Sequence, residues 1–451
     1  MTYRFTEQAT LFASVIKWTV YATIIGVLVG ISTTIFLFAL KWSTTEFSKI
    51  PNYYLLLPAV ILICSGLVKW LAPNAAGHGT EKVIEAVHKN MGRIPILVVP
   101  VKLVATVITL AGGGSAGKEG PAAQIGAGIA SSFADLMRIN DTDRKKLVIC
   151  GISAGFATIF GTPVAGAIFG VEVLVLGQLV YDVLFPSFVA GIIGYHVASK
   201  LGGIYLYFKT PNFPIFSSWN LFEIMMLGVW CGVIALLFIE IVKFGEHSFN
   251  SLKMHWSLKA LLGGILLILI ARFVSTDYLG LGLNTLTEGI QGNIISKGAI
   301  FWKSIATSIT LGSGGSGGII TPIFFVGTAS GNLFAQIFNP QYIAAFSAIG
   351  MIAVLAATTN TPIASSIMAI ELFGANIAPY AALASMISYL ICGYRSIYPS
   401  QLLGNLKSGA LSTTTGIAIG EIDRVTLTPR KSPIIRLIIK IRKRFRKSKM
   451  H

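Results

Sequence analysis

Long apolar runs separated by short polar turns dominate the chain. Phe12 to Leu40 is long enough to cross a bilayer with tilt, and Tyr54 to Leu71 follows after a short polar turn, so both predict outer membrane helices. Asn74 to His88 is a polar insertion in which Thr80 predicts the cap of a short helix. Leu97 to Leu110 is apolar apart from Lys102. Leu147 to Phe160 and Val164 to Leu176 are runs of 14 and 13 residues split by Gly161-Thr162-Pro163, and neither predicts a straight span on its own. Broken segments at membrane depth are tolerated only where protein or a water-filled cavity covers their ends. Val180 to Lys200 closes a first half and a connector, Tyr205 to Trp219, follows. Leu221 to Val242, Leu258 to Phe273, Tyr342 to Ala357, Thr361 to Phe373 and Ile377 to Cys392 then resume the pattern. The prediction is an all-α polytopic membrane protein of tilted and broken helices.

Composition agrees with that reading. Of 451 residues, 54% are hydrophobic and only 12% charged, far too apolar a balance for a soluble domain of this length. The net charge of +17 gives no reason to expect nucleic acid, because ten of the positive charges lie between Arg430 and Lys449. A basic tail reads as a cytoplasmic end held near anionic lipid, or simply as a solvated one. Cys64, Cys150, Cys231 and Cys392 lie singly in apolar runs and read as packing residues.

The most informative stretch is Ala111 to Gly128, AGGGSAGKEGPAAQIGAG. Glycines let consecutive backbone N–H groups turn toward one small anion, and Pro121 suits a helix starting just after Gly120, its positive end aimed at the loop. Glu119 stands where such an anion would be stabilised. It could compete with the anion, or leave by taking up a proton. Alone, the loop reads equally well as a tight turn with an acidic cap. Val101 to Phe133 aligns without a gap on Trp302 to Phe334 at a constant offset of 201, with 13 identities in 33 positions. A second pairing, at an offset of 199, matches Thr162, Pro163, Ala165, Ile168 and Glu172 with Thr361, Pro362, Ala364, Ile367 and Glu371. The chain is a duplicated unit, which points to a transporter with its site at the repeat interface. Glu119 pairs with Ile320, so the halves share a frame and divide the chemistry.

Other candidates surround this loop. Lys102 recurs as Lys303, each just before a glycine loop, and reads as a positive field near an anion path or as an ammonium snorkelling to the interface. Glu172 and Glu371 read as a relay or gate, or as an architectural cap. In the polar insertion, His78 with Gly77 and Gly79 could face an anion at a helix start. His78, Glu81, Glu85 and His88 also form one helical stripe of metal-ligand types, ranked behind the anion-facing and solvated readings because no other cluster completes a site. No cofactor, metal or enzymatic activity is called for.

Gly117-Lys118-Glu119-Gly120-Pro121, Gly318-Ile319-Ile320-Thr321-Pro322 and Tyr398, in this order on this repeat, resemble the CLC family of chloride channels and chloride/proton antiporters, over roughly Ile24 to Leu403. The resemblance implies a CLC-like inverted repeat, a gating role for Glu119, and an anion held by His78, Gly79, Lys118, Gly120, Ile319, Ile320 and Tyr398. It also implies a homodimer with one pore per subunit. Two departures stand out: His78 replaces a serine that helps select the anion, and Val173 stands where antiporters commonly carry a proton glutamate. The expectation is chloride transport, passive or weakly proton-coupled; stoichiometric chloride/proton exchange and a fluoride- or other-anion-selective relative are the alternatives. The expected layout is a cytoplasmic N-terminus (1–11), a first membrane repeat (12–204), a connector (205–219), a second repeat (220–403) and a cytoplasmic tail (404–451) in a multi-pass plasma-membrane protein.

Overall fold

The computed structural model describes residues 2–203, 205, 208, 218–422 and 425–427. The basic stretch from Arg430 onward and most of the connector lie outside the described residues.

Among the described residues, sixteen α-helices form two sets of eight. The first set is α1 (Thr2–Ser48), α2 (Leu57–Leu71), α3 (Thr80–Lys89), α4 (Val98–Ala111), α5 (Glu119–Leu136), α6 (Asp141–Phe160), α7 (Pro163–Glu172) and α8 (Tyr181–Lys200). The second is α9 (Ser218–Ser251), α10 (Trp256–Phe273), α11 (Leu283–Ile290), α12 (Ala299–Gly312), α13 (Ile320–Phe338), α14 (Ile343–Thr359), α15 (Pro362–Phe373) and α16 (Ala378–Ile391). Helices α4 and α12, like the starts of α5 and α13, keep the offset of 201 seen in the sequence. Among the described residues, seven helices are long and apolar enough to cross a membrane, while α4, α7, α15 and α16 are shorter apolar pieces.

Several boundaries differ from expectation. Helix α6 begins at Asp141, capped by the Asn140 side chain, which accepts the Asp143 N–H at 2.9 Å. Its charged first two turns hid a 20-residue helix behind a 14-residue apolar run. Helix α7 stops at Glu172, because Val175–Leu176 form a strand, β1, parallel to β2 (Leu402–Leu403). Helix α5 begins at Glu119 rather than after Gly120, so Pro121 lies in the first turn, where a missing N–H costs nothing. Gly79, with φ 81°, is the N-cap of α3 in place of Thr80, whose hydroxyl makes no capping bond. Residues 404–422 fold back as well: Ile419 packs on Leu176 and Leu403.

Both halves use the same helix crossing. A Cβ on Gly126 of α5 would strike the carbonyl of Gly151 on α6 and the reverse, and Gly327 on α13 and Gly350 on α14 stand in the same relation. Where lipid offers no hydrophobic drive between helices, such close backbone approach supplies the packing. The halves are also locked to each other. Glu172 accepts the N–H groups of Ile363 and Ala364 at 3.0 and 2.7 Å, at the start of α15. Glu371 accepts those of Val164 and Ala165 at 3.0 and 2.8 Å, at the start of α7. Each carboxylate thus caps the opposite repeat's broken helix, favoured by the helix dipole. Glu172→Ala and Glu371→Ala orphan two N–H groups apiece, so each is expected to destabilise the protein by about 2–4 kcal/mol. Thermal unfolding in detergent reads this out; an unchanged midpoint in both variants contradicts the capping role.

Candidate functional site

The two glycine loops meet at a local two-fold axis. Gly117 N–H donates to the Gly318 carbonyl at 2.7 Å, and Gly318 N–H returns the bond at 2.6 Å. Thr310 Oγ1 accepts from Ser115 N–H and Thr109 Oγ1 from Ser316 N–H, both at 3.0 Å. The pairs Ser115–Thr307 and Ser316–Thr106 join hydroxyls at 3.1 and 3.2 Å. The Thr and Ser identities in the sequence repeat are therefore the clasp that sets the loops. Buried polar groups fully paired in this way specify one arrangement.

Beside the clasp, three helix starts converge. A Cβ on Gly120 (α5) would collide with the His78 carbonyl, one on Gly79 (α3) with Gly120, and one on Gly318, just before α13, would approach the Gly120 nitrogen at 2.7 Å. Ile319 and Ile320, as N-cap and first residue of α13, have no intrahelical acceptor for their N–H groups; the same holds for Lys118 and Glu119 on α5. Positive helix ends thus share one small volume.

Glu119 fills part of it. The residue is 2% exposed, and its carboxylate bridges its own helix end and, across the repeat boundary, the start of α13. The Thr321 N–H donates to Oε2 at 3.1 Å, the Thr321 hydroxyl lies 2.7 Å from both oxygens, and the Lys118 N–H donates to Oε2 at 3.1 Å. A Cβ on Gly117 would stand 2.7 Å from Oε2, so this glycine leaves room for the carboxylate. Thr321 escaped the sequence reading although it lies within Gly318 to Pro322. As the block's one side-chain donor, it was the signal available.

Tyr398 is fully buried, its ring centre 5.7 Å from that of His78. Tyr398 Oη and Thr80 Oγ1 are buried beside each other, and His78 Nδ1 is buried without a protein partner, so polar groups gather at this junction. Two cavities with no lining residue in common reach this junction. One, of ≈ 590 Å³, reaches His78, Gly77 and Ser316. The other, of ≈ 50 Å³, reaches Lys118, Glu119, Thr321 and Phe324.

The remaining candidates lie elsewhere. Lys102 Nζ donates to the carbonyls of Ala75 and Gly77 at 3.1 and 2.6 Å; Lys303 does the same to Tyr278 and Gly280 at 3.3 and 2.8 Å. Each fully buried ammonium fastens the loop before a short helix, α3 or α11. Gly77-His78-Gly79 thereby acquires a counterpart, Gly280-Leu281-Gly282, with positive φ at all four glycines, which the sequence alignment missed. The stripe of metal-ligand types disperses: Glu81 accepts from Ser400 N–H, Glu85 pairs with Lys82 at 2.9 Å, and His88 Nε2 meets the Leu174 carbonyl at 3.0 Å. Buried Val173 offers its carbonyl to Gln401, which also bonds Asn360, and Asn360 in turn accepts from the Lys407 ammonium at 2.7 Å.

An inverted repeat of broken helices whose N-termini converge at membrane depth defines an integral, multi-pass transport protein with an anion-compatible centre. The sequence model of the Voltage gated chloride channel family matches residues 59–393, and the chain belongs to this family, the CLC proteins. Members of the family are channels and transporters of anions. Over 414 residues, 90% of each chain, the protein is 32% identical to the Chloride/fluoride channel protein of Pseudomonas syringae pv. tomato. It is 28% identical to the H(+)/Cl(-) exchange transporter ClcA of Vibrio vulnificus, over 86% of this chain and 90% of that one. The crystal structure of a CLC-type fluoride/proton antiporter superposes with a TM-score of 0.81 at 26% identity, covering 85% of this chain and 97% of the other.

Proposed function

We propose that the protein carries chloride or a similar small anion across the membrane, passively or with weak coupling to protons, and that Glu119 is its gate. The observation that carries this reading is the Glu119 carboxylate lying on the start of α13, held by Thr321 and Lys118. An anion stabilised by the N–H groups of Ile319 and Ile320 and by the hydroxyl of Tyr398 competes with that carboxylate for the same positive end. Protonation of Glu119 removes its charge and frees the place. His78, Gly79, Gly120 and Lys118 complete the surroundings, with Lys102 and Glu172 in supporting roles as loop clamp and helix cap. The duplicated halves, 12–204 and 220–403, then form one pore per subunit of a homodimer in the plasma membrane with both termini cytoplasmic, the tail near anionic lipid.

Chloride and proton movement followed together in liposomes tests the proposal. Chloride flux with weakly coupled proton movement, short of a fixed stoichiometry, is expected; no chloride flux contradicts it. A second reading, fluoride transport, is favoured by the chloride/fluoride relative and the fluoride/proton antiporter structure. Fluoride efflux several-fold faster than chloride efflux from the same liposomes supports that reading instead. Thr321→Val removes the hydroxyl bonded to both Glu119 oxygens and costs the carboxylate-bound state about 1.5–3 kcal/mol. Anion flux at neutral pH is expected to rise roughly tenfold; unchanged flux contradicts the role given to Thr321.

A further inference from the structure

The larger cavity holds a carboxylate that the gate does not use. Glu81, in the first turn of α3, lines it together with His78, and Glu246 faces it from α9. Glu81 Oε1 accepts the Ser400 N–H at 3.0 Å, two residues beyond Tyr398, so the side chain is fixed by backbone. Glu81 Oε2 is buried and has no partner. A buried carboxylate oxygen left so costs free energy unless a proton or water serves it.

Nearby cations are committed elsewhere. Lys82 pairs with Glu85 on the same helix, Lys102 is bound to two carbonyls, and Lys69 faces the cavity from α2 without reaching Glu81. Tyr398 lies two residues before Ser400, which Glu81 holds, its ring centre is 5.7 Å from that of His78, and His78, Glu81 and Glu246 line the same cavity. Ionisable groups thus run from the cavity, through the His78–Tyr398 pair, to the gate. Val173 offers no carboxylate, and the chain of hydrogen bonds from its carbonyl through Gln401 and Asn360 ends on the Lys407 ammonium.

We propose that Glu81 is a proton-binding residue that supplies Glu119 with protons from the His78 side of the anion position, with Glu246 gathering them at the cavity. This rests on the gate reading of Glu119. A hydronium in the cavity that Glu81 lines passes its proton to the Glu81 carboxylate and is left as water. The O–H bond at Glu81 then breaks as one forms at Glu119, by way of water or the Tyr398 hydroxyl. Protons balance, and no electrons move.

The test is paired chloride and proton flux in liposomes, under a chloride gradient, for wild type, Glu81→Gln and Glu81→Asp. Glutamine keeps the acceptor for Ser400 N–H, so the fold is retained, while the titrating oxygen is lost. The expected result is chloride flux that persists in Glu81→Gln while proton movement falls by about a hundredfold, the scale of a positioned proton-transfer group, with partial recovery in Glu81→Asp. Glu246→Gln is expected to slow proton movement less than Glu81→Gln does. Proton movement equal to wild type in Glu81→Gln overturns the proposal; so does chloride flux in wild type without any proton movement, which leaves the anion-transport reading standing. Absence of chloride flux in wild type overturns the anion-transport reading itself.

Discussion

Glu119→Gln is expected to carry anions at a rate that no longer falls as pH rises. In the wild type the ionised carboxylate accepts from the Thr321 N–H, the Thr321 hydroxyl and the Lys118 N–H. Hydrogen bonds to a charged group contribute about 1.5–3 kcal/mol each, against about 0.5–1.5 for a neutral one. Replacing the carboxylate with an amide therefore weakens occupancy of the α13 start by about 3 kcal/mol, close to a hundredfold in the competition with an anion. The sign follows from the charge. The ionised form holds the site at higher pH, protonation releases it as pH falls, and the glutamine resembles the protonated form throughout. Wild-type efflux should rise toward acid pH while the variant stays high and flat, and a variant keeping the wild-type pH slope contradicts the gate.

The second large effect concerns a matched pair. Lys102→Met and Lys303→Met each strand two buried carbonyls, Ala75 and Gly77 or Tyr278 and Gly280. At about 1–3 kcal/mol per orphaned group, each variant should lose roughly 2–5 kcal/mol of stability, seen as similar falls in unfolding midpoint. Their effects on anion binding should differ. Lys102 fixes the loop that presents His78 and packs Gly79 on Gly120, whereas Lys303 fixes a loop bearing Leu281. Loss of binding at equal residual stability is expected for Lys102→Met alone. Stability falling in one variant only contradicts the symmetric clamp.

These two predictions also show which features a linear reading can reach. The repeat was legible because Thr106, Thr109, Ser115 and Gly117 each pair across the axis with a copy of one of the four in the other half, so identity is preserved at a fixed spacing. The architectural reading of Glu172 and Glu371 was legible for the same reason. Orientation across the axis was not. Glu119 was expected at its own helix start, where the Lys118 N–H bonds it, but its reach to Thr321 on α13 depends on backbone packing at Gly117, Gly120 and Gly318. Lys102 suggested a field near an anion path; that its ammonium clamps two carbonyls shows only once the folded loop brings them within reach. The start of α6 was hidden because the first turns of a membrane helix can be charged where they meet water.

The most direct test of the central claim is calorimetric titration of chloride into the purified protein at neutral pH, wild type against Glu119→Gln. If the Glu119 carboxylate and the anion compete for the start of α13, the variant binds chloride markedly more tightly, and wild type approaches it as the pH is lowered. Equal affinity in the two proteins at every pH would mean that the carboxylate and the anion do not share this place, and the account of the gate would fail.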